Sequence, residues 1–259
     1  MTGAAAFLIV AFAALVLWLR YAALPHADRY REDIVASIEK ASGMDVSVGA
    51  ISGTWGGLRP VLILEAVRIA DRGGRAGFQL ERAEVSMSWW TLLAGQVRFH
   101  DVDFYRPHLE LRRGADGLIY LADKPLNAAG PGGDGAFTEW LLAQPRLGIH
   151  GATLAWRDDF LGAPEVRLED VEIALSHRLG HHRALLSARP PGELAGRIEL
   201  RADVALRHEA GRWRARGEAF AEALNVDLGR LRSHLAVPET LRSGRGSVRV
   251  WLRMSPAGL

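Results

Sequence analysis

Cysteine is absent from the 259 residues. That excludes disulfide staples, thiol nucleophiles and cysteine-type zinc sites. Lysine is nearly absent as well, with only Lys40 and Lys124, so almost all positive charge is arginine. The 32 basic residues meet 30 acidic ones for a formal net charge of +2, and they gather only in short pairs such as Arg112-Arg113. A nucleic-acid interface concentrates positive charge on one face, so this distribution argues against a nucleic-acid partner. The usual catalytic signatures are missing: no G-x-S-x-G, no G-x-x-x-x-G-K and no H-E-x-x-H occurs. The chain is therefore read as a non-enzyme with no cofactor, no metal and no catalytic residues. What is present is 49% hydrophobic and 24% charged sequence, enough for a packed core and too apolar for global disorder.

Several polar groups deserve a chemical reading before they are set aside. His177, His181 and His182 form H-x-x-x-H-H, with Asp158 and Asp159 upstream. On a helix, positions i and i+4 share a face and can hold a metal. Gly180 breaks a helix here, so the segment reads as a polar hairpin turn. Asp158-Asp159 reads as a solvated turn rather than an acid/base pair. Glu193 and Asp203 read as carboxylates on polar strand faces. Trp89-Trp90 and Trp156 read as core aromatics at strand ends.

The one long apolar run is Gly3 to Leu19, which carries no charge. A spanning helix needs about 20 apolar residues. Continued to about Leu24, the run fits a transmembrane anchor built on Phe7, Leu8, Ile9, Val10 and Leu15, with Trp18 and Tyr21 at the interface. A cleaved signal peptide is the alternative, but its apolar region is only about 7–15 residues and follows basic residues. Arg20, Arg29 and Arg31 follow the run, which by the positive-inside rule would place the later chain in the cytoplasm; Asp28, Glu32 and Asp33 are interleaved with them, and flanking charge leaves both orientations open. Asp28 to Ser42 has Ile34, Val35, Ile38 and Ala41 at helical spacing, with Asp28 as a cap and Gly43 as a stop.

From Met44 the period changes to two. Val46 and Val48 alternate with polar residues. A turn-like stretch, Ser52 to Gly57, follows. Val61, Ile63, Val67 and Ile69 lie on one parity, as do Ala83, Val85, Met87 and Trp89. Ile198, Leu200, Val204 and Leu206 lie on one face of another alternating segment, and Val248, Val250, Leu252 and Met254 on one face of a third. Such strands carry one apolar and one charged face, as in an antiparallel sheet with a solvated side. Turns are expected at Asp71 to Gly74, Gly114 to Gly117, Gly180 and Gly211. Short helices are expected at Phe137 to Gln144 and Val226 to Leu235. Val102 to Leu111 and Ile149 to Trp156 form a weak internal echo of strand, turn and strand.

An ordered series of motifs then resembles a family. Leu24-Pro-His-Ala-Asp-Arg-Tyr-Arg-Glu-Asp-Ile34 comes first, then Gly49 to Pro60 (GAISGTWGGLRP) and Val85 to Leu93 (VSMSWWTLL). Arg106 to Arg113 leading into Asp116-Gly, Trp140 to Gln144, Ala152 to Asp158 with Ala163-Pro164, Arg183 to Pro191 and Ser243 to Trp251 complete it. The whole series resembles the start of YhdP-type proteins of the AsmA-like superfamily. The resemblance implies a longer protein, of which this chain is the N-terminal portion. It implies an anchor in the bacterial inner membrane at 1–24, a juxtamembrane amphipathic helix at 25–43 and an AsmA-like β-groove region at 44–259. The implied fold is mainly β: an extended, curved antiparallel sheet with two or three short amphipathic helices. The implied location of the body is the periplasm, against the charge rule. The implied partners are membrane phospholipid and other envelope proteins, and the implied role is phospholipid transport between the inner and outer membranes. Ile198, Leu200, Val204, Leu206, Val248, Val250 and Leu252 are the candidate groove lining. A scaffold that binds another envelope protein without lipid is the alternative.

Overall fold

The computed structural model describes residues 2–42, 45–57, 59–70, 76–88, 99–121, 124–125, 145–178, 180–209, 212–234 and 243–254. Within them the protein is mainly β, with a large sheet and a few helices at its start. The expected helix at 137–144, the turns at 71–74 and Gly211, and Trp89-Trp90 lie outside the described residues.

Helix α1 (Thr2–Trp18) holds the apolar run and passes into a π-helical turn, Leu19–Ala23. A 3-10 stretch, Leu24–Tyr30, then breaks at His26, and helix α2 (Arg31–Ser42) follows. Pro25 removes a backbone donor at this point, which favours a break. The His26 ring lies 2.8 Å from the Ala22 carbonyl oxygen at this break. Among the described residues no single helix is long and apolar enough to cross a membrane; Ile9–Ala22 and Leu24–Ala36 qualify only together, bent by 65°. The apolar helix expected from Gly3 to about Leu24 is α-helical over Thr2–Trp18 and continues as the π-helical turn Leu19–Ala23 before the bend. Asp28, expected as a helix cap, lies inside the 3-10 stretch. Its carboxylate accepts from the Ile51 backbone N–H at 3.1 Å and from Arg31, tying the bend to the sheet.

The first lanes of the sheet are β1 (Asp45–Ser47) and β2 (Ala50–Gly56) on one edge of β3 (Arg59–Ala70), then β4 (Ala76–Met87). Next come β5 (Phe99–Tyr105) and β6 (His108–Arg113), which lie end to end in one lane broken at Arg106-Pro107. Short strands β7 (Ile119–Leu121) and β8 (Lys124–Pro125) extend from β6. The remaining lanes follow in chain order: β9 (Arg146–Asp158), β10 (Ala163–Arg178), β11 (His181–Arg189), β12 (Ile198–Glu209), β13 (Arg212–Asp227) and β14 (Arg245–Met254). Between β13 and β14 the expected helix at Val226 to Leu235 is a single turn, α3 (Leu228–Leu231), capped by the Asp227 carboxylate.

One junction departs from the antiparallel expectation. The β5/β6 lane pairs with β9 in parallel, Val102 opposite Leu147 and Leu109 opposite Leu154. Parallel neighbours need a long connection, and the chain between Arg113 and Arg146 supplies it. The two segments that echo each other in sequence are therefore side by side and run the same way.

Ser52 to Gly56, expected as a turn, is strand. Gly53 is required there by close approach: a Cβ at that position would sit 2.6 Å from Leu24 Cδ2. The turn comes one step later, at Gly57.

A second departure is a line of irregularities running across the sheet. Ala66 (φ 52°), Arg106 (φ 49°), Gly151 (φ 61°) and Asp170 (φ 47°) all have left-handed backbone. Ala66 falls opposite Glu81, Glu81 opposite Arg106, and Arg106 opposite Gly151. Asp170 lies in the register shift between β9 and β10 at the same level. Each irregularity flips the alternation, so Leu64 and Val67 share one core cluster, and Ile149 and Ala152 share another. This corrects the expectation that Val61, Ile63, Val67 and Ile69 form one stripe. Irregularities of this kind bend a strand and raise its twist, and a line of them makes a crease.

Candidate functional site

Directly paired residues in neighbouring strands point to the same side of a sheet. Followed from lane to lane, the register therefore shows what each face is made of. One row begins Ile51, Leu64, Ala83, Phe104 and Ile149. It continues through Ile173, Leu186, Leu200 and Ala221 to Val250. A parallel row runs Leu62, Val85, Val102, Leu147 and Leu175. It ends through Ala184, Ala202 and Ala219 at Leu252. No charged side chain interrupts either row from β2 to β14, so the sheet carries one continuous apolar face.

That face is covered at one end and open at the other. Ile51 is 3% exposed, Leu64 8% and Ala83 5%, in a cluster closed by Ala27 from the 3-10 stretch and by Ile34 and Val35 from α2. At the far end Leu200 is 42% exposed, Val250 39% and Leu252 45%. Between the two ends a small core gathers Ala152 of β9, Val171 of β10 and Ala188 of β11.

The expected groove residues fall on this face together. Ile198, Leu200 and Val204 of β12 register through β13 alanines and Gly217 with Val248, Val250 and Met254 of β14, and Leu252 follows the same parity. Leu206 occupies the matching register position opposite Ala215. Of the expected anchor residues, Phe7, Ile9, Val10, Trp18 and Tyr21 are exposed, and Leu15 is half-buried. The side chain of Leu8 lies outside the described residues.

The opposite face of the same strands is charged. Arg183 donates to Asp203 at 2.8 Å, Arg253 to Glu218 at 3.0 Å and Arg249 to Glu222. The Arg183 hydrogen bond, then that of His181, holds the Asp203 carboxyl below the usual carboxylate range. Set among these charges, Phe220 and Trp251 meet with ring centroids 5.3 Å apart, and Trp251 is 70% exposed. Sequence reasoning did not single out this pair; its signal was Trp251 breaking the polar parity of β14.

The other polar candidates resolve as follows. The His177 and His182 rings stack at 4.3 Å across the β10–β11 hairpin, on the apolar parity. Burial, then the neighbouring His177 and His181, pushes the His182 pKa down, which favours the neutral ring. Among the described residues no group of histidine and carboxylate side chains has metal-holding geometry. Asp158, expected in a solvated turn, is buried beside Arg113 at 3.5 Å and accepts from the Leu161 N–H. Asp159 pairs with Arg112 at 3.1 Å. Glu193, expected on a strand face, sits in the turn before β12 and pairs with Arg230.

These features now stand beside known proteins. A family model described as YhdP protein matches residues 1–259. The chain belongs to the YhdP family. A curated relative, the "Intermembrane phospholipid transporter YhdP" of Escherichia coli (strain K12), is 36% identical over 107 residues. That match covers 41% of this chain and 8% of the relative, so the chain spans only a small part of that protein's length. No solved structure matches.

Proposed function

We propose that this chain is a membrane-anchored part of a phospholipid conduit of the bacterial envelope, with no enzymatic role. In this reading residues 1–24 hold the protein in the inner membrane and 25–43 lie at its surface. Residues 44–259 stand in the periplasm as a curved groove. Acyl chains rest on the apolar face, at Ile198, Leu200, Val204, Leu206, Val248, Val250 and Leu252, while the Arg/Glu face meets water. The observation that carries the reading is the unbroken apolar face from Ile51 to Val250, closed near the helices and open at β12 and β14. An exposed apolar face of that extent marks a binding surface. Each CH₂ buried there is worth about 0.8 kcal/mol, so part of an acyl chain binds without any polar site. The name of the E. coli relative supports the same cargo.

Extraction in a gentle detergent followed by lipid mass spectrometry tests the reading. Phospholipid should co-purify, and Leu200→Asp with Leu252→Asp should lose it. Protein free of lipid would overturn the cargo. A second reading, an envelope scaffold, is favoured by one observation, the exposed Trp251 beside Phe220 on the charged face. In that case Trp251→Ala would release a protein partner and leave lipid content unchanged.

A further inference from the structure

We propose that His150 is a pH-operated clasp that governs how tightly β5, β9 and β10 hold together at the crease of the sheet. The clasp is independent of what the apolar face binds.

His150 sits on β9 opposite Tyr105, at the parallel junction, one residue before Gly151 in the crease. Its Nδ1 lies 3.1 Å from Glu172 Oε2 on β10, and its Nε2 lies 3.2 Å from Asp103 Oδ1 on β5. One ring thus bridges carboxylates from the lanes on both sides of its own. A neutral imidazole has a single N–H and donates to one of them, leaving a lone pair facing the other anion. An imidazolium donates to both, and such charge-assisted bonds are roughly twice as strong as neutral ones.

The surrounding backbone is shaped to this contact. A Cβ at Gly148 would collide with Asp103 Oδ1 and His150 Nε2, so only glycine leaves room for the pair. The left-handed turn at Gly151 aims its N–H at Glu172 Oε1, at 2.7 Å. The Tyr105 ring stacks on the imidazole at 5.1 Å, with the Arg82 guanidinium 5.8 Å from the Tyr105 centroid.

Several charged groups of the adjoining lanes have partners of their own. On β4, Arg82 pairs with Glu84; across the crease, Arg106 pairs with Glu81 at 3.0 Å. Asp101 on β5 pairs with Arg146, and Asp170 on β10 with Arg189 at 2.6 Å. His150 is therefore the cation that Asp103 and Glu172 share. Burial pushes the His150 pKa down, but the hydrogen bonds to Asp103 and Glu172 outweigh it and leave the pKa above the usual histidine value. A raised folded-state pKa fixes the sign: the clasp is fully formed below the ordinary histidine pKa of about 6.5 and is lost as pH rises through the folded value. Its loss loosens the one junction where the covered half of the sheet joins the open half.

Hydrogen–deuterium exchange of the full chain in detergent tests this at about pH 5.5 and about pH 8, on either side of histidine titration. After correction for intrinsic rates, peptides from β5, β9 and β10 should open severalfold more at the higher pH, while β13 and β14, which carry no histidine, hold constant. His150→Gln should abolish that difference, and Glu172→Gln, which keeps the ring, should shrink it. The clasp is overturned if the parent protein shows no rise at β5, β9 and β10. It is equally overturned if the rise persists in His150→Gln or is undiminished in Glu172→Gln.

Discussion

The lanes β2 to β4 and the lanes β12 to β14 share one apolar face, yet they solve the problem of that face differently. In the first set the bend after α1 lays Ala27, Ile34 and Val35 onto Ile51, Leu64 and Ala83, and a closed core results. The Asp28 carboxylate on the Ile51 N–H and the Leu24 contact at Gly53 fix the cover in place. In the last set nothing among the described residues takes the place of those helices, and Leu200, Val250 and Leu252 remain exposed. The first lanes therefore hold the larger of the two buried clusters. The second half carries apolar surface held ready by its backbone ladders and by the Arg/Glu pairs behind it.

The largest test of that contrast is truncation on each side. Leu64→Ala should cost about 2–5 kcal/mol, the range for a buried leucine, seen as a fall in thermal midpoint. Val250→Ala should cost well under that, because its side chain already meets solvent. Equal losses would erase the distinction. Next comes Gly148→Ala, where the added methyl forces Asp103 and His150 apart; an overpacking cost of about 1–3 kcal/mol is expected by the same unfolding measurement. Leu200→Asp should then leave the midpoint nearly unchanged while removing most co-purifying lipid, which separates surface function from stability. The smallest effect belongs to the charged face. Arg183 lowers the Asp203 pKa, so its contribution is present above the ordinary aspartate pKa of about 3.9 and fades as pH falls through the folded value. Arg183→Gln should therefore be slightly less stable than the parent at neutral pH, and the two should converge in strong acid.

The same contrast explains what the sequence revealed. In β12 and β14 no backbone flip breaks the period of two, and Trp251 is the one large side chain that crosses to the charged face, so the face of Ile198, Leu200, Val248 and Val250 was legible from residue types alone. In β3, β9 and β10 it was not. Ala66 and Asp170 adopt left-handed backbone with no glycine to announce it, and each flips the parity that a period of two assumes. The parallel junction was hidden because pairing partners far apart leave no local pattern; the echo between Val102 to Leu111 and Ile149 to Trp156 was its only trace. Ser52 to Gly56 looked like a turn in part because Gly53 serves contact with Leu24, a reason that lies outside the strand. The His150 clasp was equally hidden, since Asp103, His150 and Glu172 come from three lanes and meet only in the sheet. His177, His181 and His182 stand together in the sequence, yet in the sheet two of their rings merely stack.

Facing side chains in the open half offer the most direct test. A photoreactive residue placed at position 200, 250 or 252 lies on the apolar face, and one placed at 201, 249 or 253 lies on the charged face of the same strands. Illumination in native membranes should crosslink phospholipid from the first three positions and not from the second three. Crosslinks of equal yield from both faces, or none from either, would contradict the assignment of the apolar face as the lipid-bearing surface.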